Sequence, residues 1–176
     1  AVAAIACCVA LELEPRETAP LFASYRPPEM RMNVRVLDGG TVVIDDAYNA
    51  NPMSLAAAMD ELRDRRCAGR RVCIVGDMLE LGSEGARWHE RAGRQAASND
   101  FDLLVTVGEL ARGVADGAIE AGMRQERVHC YADRDAAAGA VSTLIQPGDT
   151  ILVKGSRRVG LERVVQEIES LTAARL

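Results

Sequence analysis

The chain has 176 residues, of which 48% are hydrophobic, 27% are charged and only 3% are aromatic. Its formal net charge is −5 with basic and acidic residues interspersed, which argues against nucleic-acid binding, because nucleic-acid binders concentrate Lys and Arg on one face. Five cysteines that show neither a CxxC pair nor a metal-ligand spacing predict reduced thiols and a cytoplasmic protein.

The first part of the chain predicts two helices followed by a break. Ala1 to Leu13 reads as an Ala-rich helix, and its apolar run is too short to span a bilayer, so no membrane insertion is expected. Pro15 to Ser24 reads as a second helix, since proline fits the first helical position. Further prolines then interrupt Tyr25 to Met30. We predict a domain boundary there, with the tail of a preceding domain at 1–28 and a second domain at 29–176.

A β-hairpin is predicted directly after this boundary. Met32 to Leu37 and Thr41 to Asp45 are strand-like, and Asp38-Gly39-Gly40 between them is a turn signal. The rest of the chain alternates between helices and short, continuously apolar strands. The predicted helices are 53–66, 84–98, 109–121, 133–145 and 161–174, and the predicted strands are 71–75, 102–107, 127–131 and 150–154.

This alternation is typical of βαβ crossovers. The predicted fold class is α/β: a Rossmann-like, mainly parallel sheet with helices on both faces, plus a leading β-hairpin and a short N-terminal helical remnant. In such sheets ligands bind outside the carboxyl ends of the strands. The loops that follow the strands are therefore the candidate sites.

The loop after the hairpin reads Asp-Asp-Ala-Tyr-Asn-Ala-Asn-Pro from Asp45 to Pro52. Asn51 suits a helix N-cap and Pro52 the first helical position. Two acids and two carboxamides thus lie beside a helix N-terminus. One interpretation makes Asp46 an acceptor for a ribose hydroxyl and Asn49 a donor near phosphate or a metal-bound water. The alternative is a capping loop with solvated acids.

Two further strand ends carry polar side chains. Asp77 and Glu80 follow Gly76, where acids could hold an ammonium group or support a metal shell, or form a solvated turn. Lys154 to Arg158 brings three cations and a hydroxyl to the loop before the last helix, which suits a carboxylate or a phosphate. A solvated basic loop is the alternative. His89 lacks a partner at metal spacing and is expected to be structural.

Together these segments resemble one family. The strings VIDDAYNANPMS, IVGDMLELG with His89 in the next helix, and ILVKGSR with Glu162 after it occur in this order in Mur-type peptide ligases. The resemblance runs along the whole chain and is to the branch that adds D-alanyl-D-alanine to a UDP-N-acetylmuramoyl tripeptide. It implies that 1–28 is the tail of the central ATPase domain and 29–176 the C-terminal domain, which closes over ATP.

The resemblance also implies a reaction. The γ-phosphoryl group of ATP passes to the terminal carboxylate of the tripeptide, and the amine of D-alanyl-D-alanine attacks the resulting acyl phosphate in peptidoglycan precursor synthesis. No GxxxxGK[ST] string is present. The phosphate loop and most ligands of Mg²⁺ are therefore expected upstream, this chain alone is expected to be inactive, and a monomer is expected.

The family's site residues carry over onto matching positions of this sequence. Those implied to bind the nucleotide or to shape its loop are Asp46, Tyr48, Asn49 and Asn51. Those implied to bind the dipeptide are Asp77, Glu80, Lys154, Ser156 and Arg157. Two departures affect this pattern: Glu29-Met30-Arg31 replaces a Gly-Arg junction pair, and Arg158 to Leu161 replaces a run of small residues ending in Met.

Other classes match the sequence less well. A phospho-acceptor receiver domain needs an acidic pair, a later Asp, then Thr and Lys at strand ends, and the chain offers Asp45 with Asp46, Asp77, Thr106 and Lys154. However, an additional βα unit separates Thr106 from Lys154. The C-terminal domain of another Mur or folylpolyglutamate-type ligase and a non-catalytic binding module are further alternatives. A dinucleotide-dependent dehydrogenase is also a poor match, because no Gly-rich GxGxxG turn follows the first strand of this chain.

Overall fold

A computed structural model describes residues 2–25 and 28–173. Ala1, Arg26, Pro27 and Ala174, which the sequence places in helices or at the domain boundary, lie outside the described residues. Among the described residues, no helix is long and apolar enough to cross a membrane.

The N-terminal helices are shorter than predicted. Helix α1 spans Val2–Ala10 and helix α2 spans Pro15–Thr18, followed by a 3-10 turn at Ala19–Ser24. The α-helical hydrogen bonds stop near Pro20, which has no N–H to donate. Tighter 3-10 bonds therefore complete the segment.

The centre of the structure is a six-stranded sheet. Its strands are β1 (Asn33–Val36), β2 (Val42–Asp46), β3 (Arg71–Gly76), β4 (Leu103–Val107), β5 (Val128–Tyr131) and β6 (Thr150–Lys154). Their order is β1-β2-β6-β3-β4-β5, with β1 antiparallel to β2 and the other pairs parallel. The Rossmann-like class and the leading hairpin are thereby confirmed.

Helices cover both faces of the sheet. They are α3 (Pro52–Asp64), α4 (Gly85–Ser98), α5 (Arg112–Glu120), α6 (Arg134–Leu144) and α7 (Glu162–Ala173). One core joins α3, α4 and α5 to the sheet, and a second joins α6 and α7 to the opposite face. Because the strands are buried on both faces, their sequences are continuously apolar.

Helices α4 and α5 approach each other unusually closely, and two glycines allow it. A Cβ atom added to Gly93 would lie 2.0 Å from the carbonyl oxygen of Val114. One added to Gly117 would lie 2.2 Å from the carbonyl oxygen of Glu90. Each helix therefore packs directly against the backbone of the other.

The sheet topology fixes where a site can form. Strand β6 lies between β2 and β3, yet the chain leaves β2 and β3 towards helices on one face and leaves β6 towards α7 on the other. Adjacent loops that diverge in this way leave crevices at the carboxyl edge of a sheet. Among the described residues, crevices of this kind lie on both sides of the loop that follows β2.

Candidate functional site

The loop from Asp45 to Asn51 is held by the start of α3. Asn51 adopts extended backbone, its side-chain oxygen accepts the N–H of Ser54 at 2.9 Å, and its own N–H donates to the Ser54 hydroxyl at 3.1 Å. This reciprocal pair satisfies the backbone N–H groups of Asn51 and Ser54 at the helix N-terminus. The predicted N-cap is confirmed, and the backbone amides at the start of α3 remain near the loop.

Lys154 is the buried cation of the site. It pairs in register with Asp46 across β2 and β6, and only 2% of it is exposed. Its ammonium group forms a salt bridge with the Asp46 carboxylate and donates to the carbonyl oxygen of Asn49 at 2.9 Å. Lys154 therefore fixes both the carboxylate at the end of β2 and the turn that follows it.

A first cleft of about 530 Å³ opens above this ion pair. The residues of the predicted nucleotide site line it together with residues of α3 and of the segment before β1: Arg31, Met32, Asp46, Tyr48, Asn49, Asn51, Ser54, Ala57, Ala58, Glu61 and Lys154. The guanidinium of Arg31 lies 4.0 Å from the centroid of the Tyr48 ring, a cation–π contact. Arg31 is not among the predicted site residues; it belongs to the Glu29-Met30-Arg31 stretch that departs from the family's junction pair.

A second cleft of about 370 Å³ lies on the other side of the same loop. Its lining joins three strand ends and comprises Tyr48, Asn49, Ala50, Asn51, Leu79, Glu80, Leu81, Ser156, Arg157 and Arg158. Tyr48, Asn49 and Asn51 line both clefts. The Asp45-to-Asn51 loop thus separates two adjacent clefts.

Two residues predicted for dipeptide binding lie elsewhere. Lys154 lines the first cleft, beside Asp46, and does not line the second. Asp77 lines neither of the two clefts, and its carboxylate accepts the N–H of Ala111 at 2.7 Å, immediately before α5. Both placements follow from partners far away in sequence, which the local pattern could not specify.

The other three dipeptide candidates meet in the second cleft. Glu80 and Arg157 are exposed, whereas Ser156 is buried and its hydroxyl accepts the N–H of Leu79 at 2.9 Å. Arg157 donates to the carboxylate of Glu162 at 3.1 Å. In this cleft Glu80 and Arg157 are therefore exposed to solvent, whereas the hydrogen bond between Leu79 and Ser156 lies beneath them.

The expected magnesium has no set of ligands in the part of the chain that the structure describes. Within residues 2–25 and 28–173, no group of three or more His, Cys, Asp or Glu side chains could hold a metal ion. Asp46, the acid nearest the predicted phosphates, is already paired with Lys154. No residue within 2–25 and 28–173 is therefore assigned to magnesium.

Asp45 faces away from both clefts and has a separate role. It is buried, accepts the N–H of Ala47 at 3.2 Å and pairs with Arg35 at 2.9 Å, and Arg35 also bridges to Glu169 on α7. Burial raises the pKa of its carboxyl above the usual value despite these partners. The first acid of the pair thus ties β1, β2 and α7 together.

A raised pKa makes the contribution of Asp45 to stability depend on pH. The contribution is fully present below the unfolded pKa of about 3.9 and is lost as the pH rises through the higher folded pKa. We expect Asp45→Asn, which stays neutral, to gain stability relative to wild type between pH 3 and pH 7. Urea unfolding across this range measures the difference. Asp116→Asn, at an exposed position of α5, is the matched control. A difference in unfolding free energy between Asp45→Asn and wild type that stays constant from pH 3 to pH 7 would contradict the expectation.

Comparisons with known proteins agree with this architecture. Residues 30–157 match the family described as "Mur ligase, glutamate ligase domain". A UDP-N-acetylmuramoyl-tripeptide–D-alanyl-D-alanine ligase of Bacillus subtilis is 32% identical over 168 residues, which cover 96% of this chain and 36% of that protein. The Escherichia coli protein of the same name is 35% identical over 130 residues, which cover 73% and 27%. The chain thus spans about a third of the length of these curated relatives.

Solved structures give the same fold. A crystal structure of MurF from Acinetobacter baumannii matches with a TM-score of 0.80 and 27% identity, covering 96% of this chain and 36% of that one. MurF ligase from Thermotoga maritima in complex with ADP matches with a TM-score of 0.76 and 24% identity, covering 98% and 37%. The receiver-domain alternative does not account for the leading hairpin, in which β1 pairs antiparallel with β2.

Proposed function

Because the chain belongs to the Mur ligase family, we propose that it is the C-terminal domain of the ligase that joins D-alanyl-D-alanine to a UDP-N-acetylmuramoyl tripeptide. The observation that carries the proposal is the pair of clefts divided by the Asp45-to-Asn51 loop. A ligase must hold ATP and an acceptor amine side by side, and two adjacent spaces at one sheet edge suit that task. Relatives that match 96% of the chain are ligases of this branch, which supports the choice.

The proposed reaction has two steps. The terminal carboxylate of the tripeptide attacks the γ-phosphorus of ATP, so that an acyl phosphate forms and ADP leaves. The dipeptide amine then attacks the acyl carbon, phosphate leaves with the bonding electrons, and the amine loses a proton to give the amide. Water must be excluded meanwhile, because it would compete for the acyl phosphate. Closure of this domain over the upstream domains would supply that exclusion.

The first cleft is the proposed nucleotide half. Asp46 would accept hydrogen bonds from the ribose hydroxyls, with its orientation held by Lys154. Arg31, exposed at the rim, and the amides at the start of α3 would offer positive charge to the phosphates. Lys154 acts here through Asp46 and not on the dipeptide carboxylate, since its ammonium is buried and already bonded.

The second cleft is the proposed dipeptide half. Arg157, with Arg158 beside it, would bind the dipeptide carboxylate, and Glu80 would attract the amino end. The two charges lie on loops from different strands, so they can receive opposite ends of one short molecule. In this proposal the UDP-sugar portion of the tripeptide substrate contacts mainly the upstream domains, and the protein is a cytoplasmic monomer with reduced cysteines.

Two matched substitutions test the division between the clefts in the full-length protein. Arg31→Ala should raise the KM for ATP about tenfold and leave the KM for the dipeptide within about twofold, because only the first cleft contains it. Arg157→Ala should show the reverse pattern. Steady-state phosphate release, with each substrate varied in turn, measures both. Equal effects on the two KM values would contradict the proposed division.

The acceptor itself is tested with unsubstituted full-length protein. Phosphate release from ATP and the tripeptide substrate should require D-alanyl-D-alanine. Glutamate or another single amino acid should not replace it, since a cleft with separated opposite charges suits a dipeptide. Turnover with a single amino acid and none with the dipeptide would assign the chain to another member of the family.

A further inference from the structure

A buried histidine holds the loop that carries Glu80. This loop, residues 77–82, leaves β3 and gives three successive backbone N–H groups to three different parts of the fold. Asp77 N–H donates to Val107 at the end of β4 at 3.2 Å, Met78 N–H to His89 Nε2 at 3.0 Å, and Leu79 N–H to the Ser156 hydroxyl at 2.9 Å. Three consecutive residues of the loop are therefore each hydrogen-bonded to a different part of the fold.

The hydrogen bonds of His89 define its protonation state. Its side chain is completely buried, and Nδ1 lies 2.7 Å from the carbonyl oxygen of Gly85. A carbonyl can only accept, so Nδ1 carries the proton, and the lone pair of Nε2 accepts the N–H of Met78. Both ring nitrogens are engaged, and only the neutral ring can make both bonds.

The position of the ring is set by the close packing of α4 on α5. A Cβ added to Gly113 of α5 would lie 3.2 Å from the Cβ of His89, and the contacts at Gly93 and Gly117 hold the two helices at backbone distance. The backbone from which the buried ring projects is therefore held against α5. Met78 is hydrogen-bonded to this ring.

Glu80 projects from the same loop, two residues after Met78. Glu80 is exposed in the second cleft and adopts a left-handed backbone with a φ of 64°, which is uncommon for a residue other than glycine. Such a conformation persists only where the surrounding structure imposes it. The bonds at Met78 and Leu79 supply that constraint from two sides.

We propose that His89 is a positioning residue for the dipeptide half of the site. Through Met78 it fixes the backbone from which Glu80 projects and which the Ser156 hydroxyl holds beside Arg157. The first cleft contains no residue of the 77–82 loop. The effect of His89 is therefore confined to the second cleft. This inference rests on the proposed function for the identity of the substrate. The hydrogen bond between Met78 and His89 does not depend on that function.

Two conservative variants in the full-length protein separate positioning from simple packing. In His89→Gln the amide oxygen can reach the place of Nε2 and accept from Met78, whereas in His89→Asn the amide reaches only the place of Nδ1. We expect His89→Asn to raise the KM for D-alanyl-D-alanine about tenfold, with the KM for ATP within about twofold. His89→Gln should restore the dipeptide KM to within about threefold of wild type.

A second measurement does not depend on the substrate. Hydrogen–deuterium exchange of the peptide containing residues 77–82 should be about tenfold faster in His89→Asn than in wild type, and near wild type in His89→Gln. If no ligase activity is found but exchange follows this order, the positioning role holds and the proposed function fails. Equal exchange in the two variants, equal rises in both KM values, or loss of the fold in His89→Asn would each overturn the proposal.

Discussion

Gly117→Ala is expected to destabilise the fold by about 3 kcal/mol, although alanine is the better helix former. The new methyl group would lie 2.2 Å from the carbonyl oxygen of Glu90, a distance that no relaxation of a side chain can relieve, because the obstacle is backbone. Helices α4 and α5 must separate, and both bury small side chains against the same core. Urea unfolding monitored by circular dichroism gives the free energy change.

The control for this prediction is the same substitution at Gly139. Gly139 lies within α6, and a Cβ there meets nothing within 4 Å. Gly139→Ala should therefore stabilise the fold by about 0.5–1 kcal/mol through helix propensity alone. If both substitutions stabilise, the backbone contact between α4 and α5 is not as close as described.

Lys154→Met is the second change with a large expected effect. It removes the cation from a largely buried pair, so the Asp46 carboxylate loses its cationic partner and keeps only the N–H of Met32, and the carbonyl of Asn49 loses its donor. Breaking a buried pair in this way costs about 3 kcal/mol, because the remaining charge is poorly solvated. Thermal and urea unfolding measure the stability, and the KM for ATP should rise as the loop between the clefts loses its anchor.

A second substitution distinguishes the effect of the uncompensated Asp46 carboxylate on stability from the effect of lost packing. Asp46→Asn in the Lys154→Met background removes the uncompensated carboxylate, so the double variant should be more stable than Lys154→Met alone. As a surface control, Arg163→Met breaks the exposed pair with Glu167 and should change stability by less than about 0.5 kcal/mol. A double variant less stable than Lys154→Met would show that the ion pair is not the source of the loss.

The class of fold could be predicted because it depends on local patterns. Continuous apolar strands separated by helices specify a parallel sheet, and Asp38-Gly39-Gly40 marks the hairpin without reference to the rest of the chain. The capping of α3 by Asn51 was readable for the same reason, since an N-cap and its helix are adjacent in sequence. Helix starts were less accurate: α5 begins at Arg112, after Gly108 with a φ of 113° and a turn bonded to Asp77.

The motifs also predicted several of the side chains that the strand ends bring together. Glu80, Ser156 and Arg157 do meet in one cleft, and Asp46, Tyr48, Asn49 and Asn51 meet in another. The sequence could not show that the two clefts share a wall. It also could not show that Arg31 belongs to the first, because a cation before an edge strand has no fixed direction until the strand is paired.

Local patterns specify the elements, the sheet edge and the residues available there, since each follows from the periodicity and turn chemistry of neighbouring residues. The partners of Lys154, Asp77 and His89 are set by the packing of the whole chain. Strand register brings Lys154 to Asp46, the approach of α5 gives Asp77 the N–H of Ala111, and the contact of α4 with α5 holds His89 within hydrogen-bonding distance of Met78. These partners are distant in sequence, so their selection depends on how the whole chain packs and not on any local pattern.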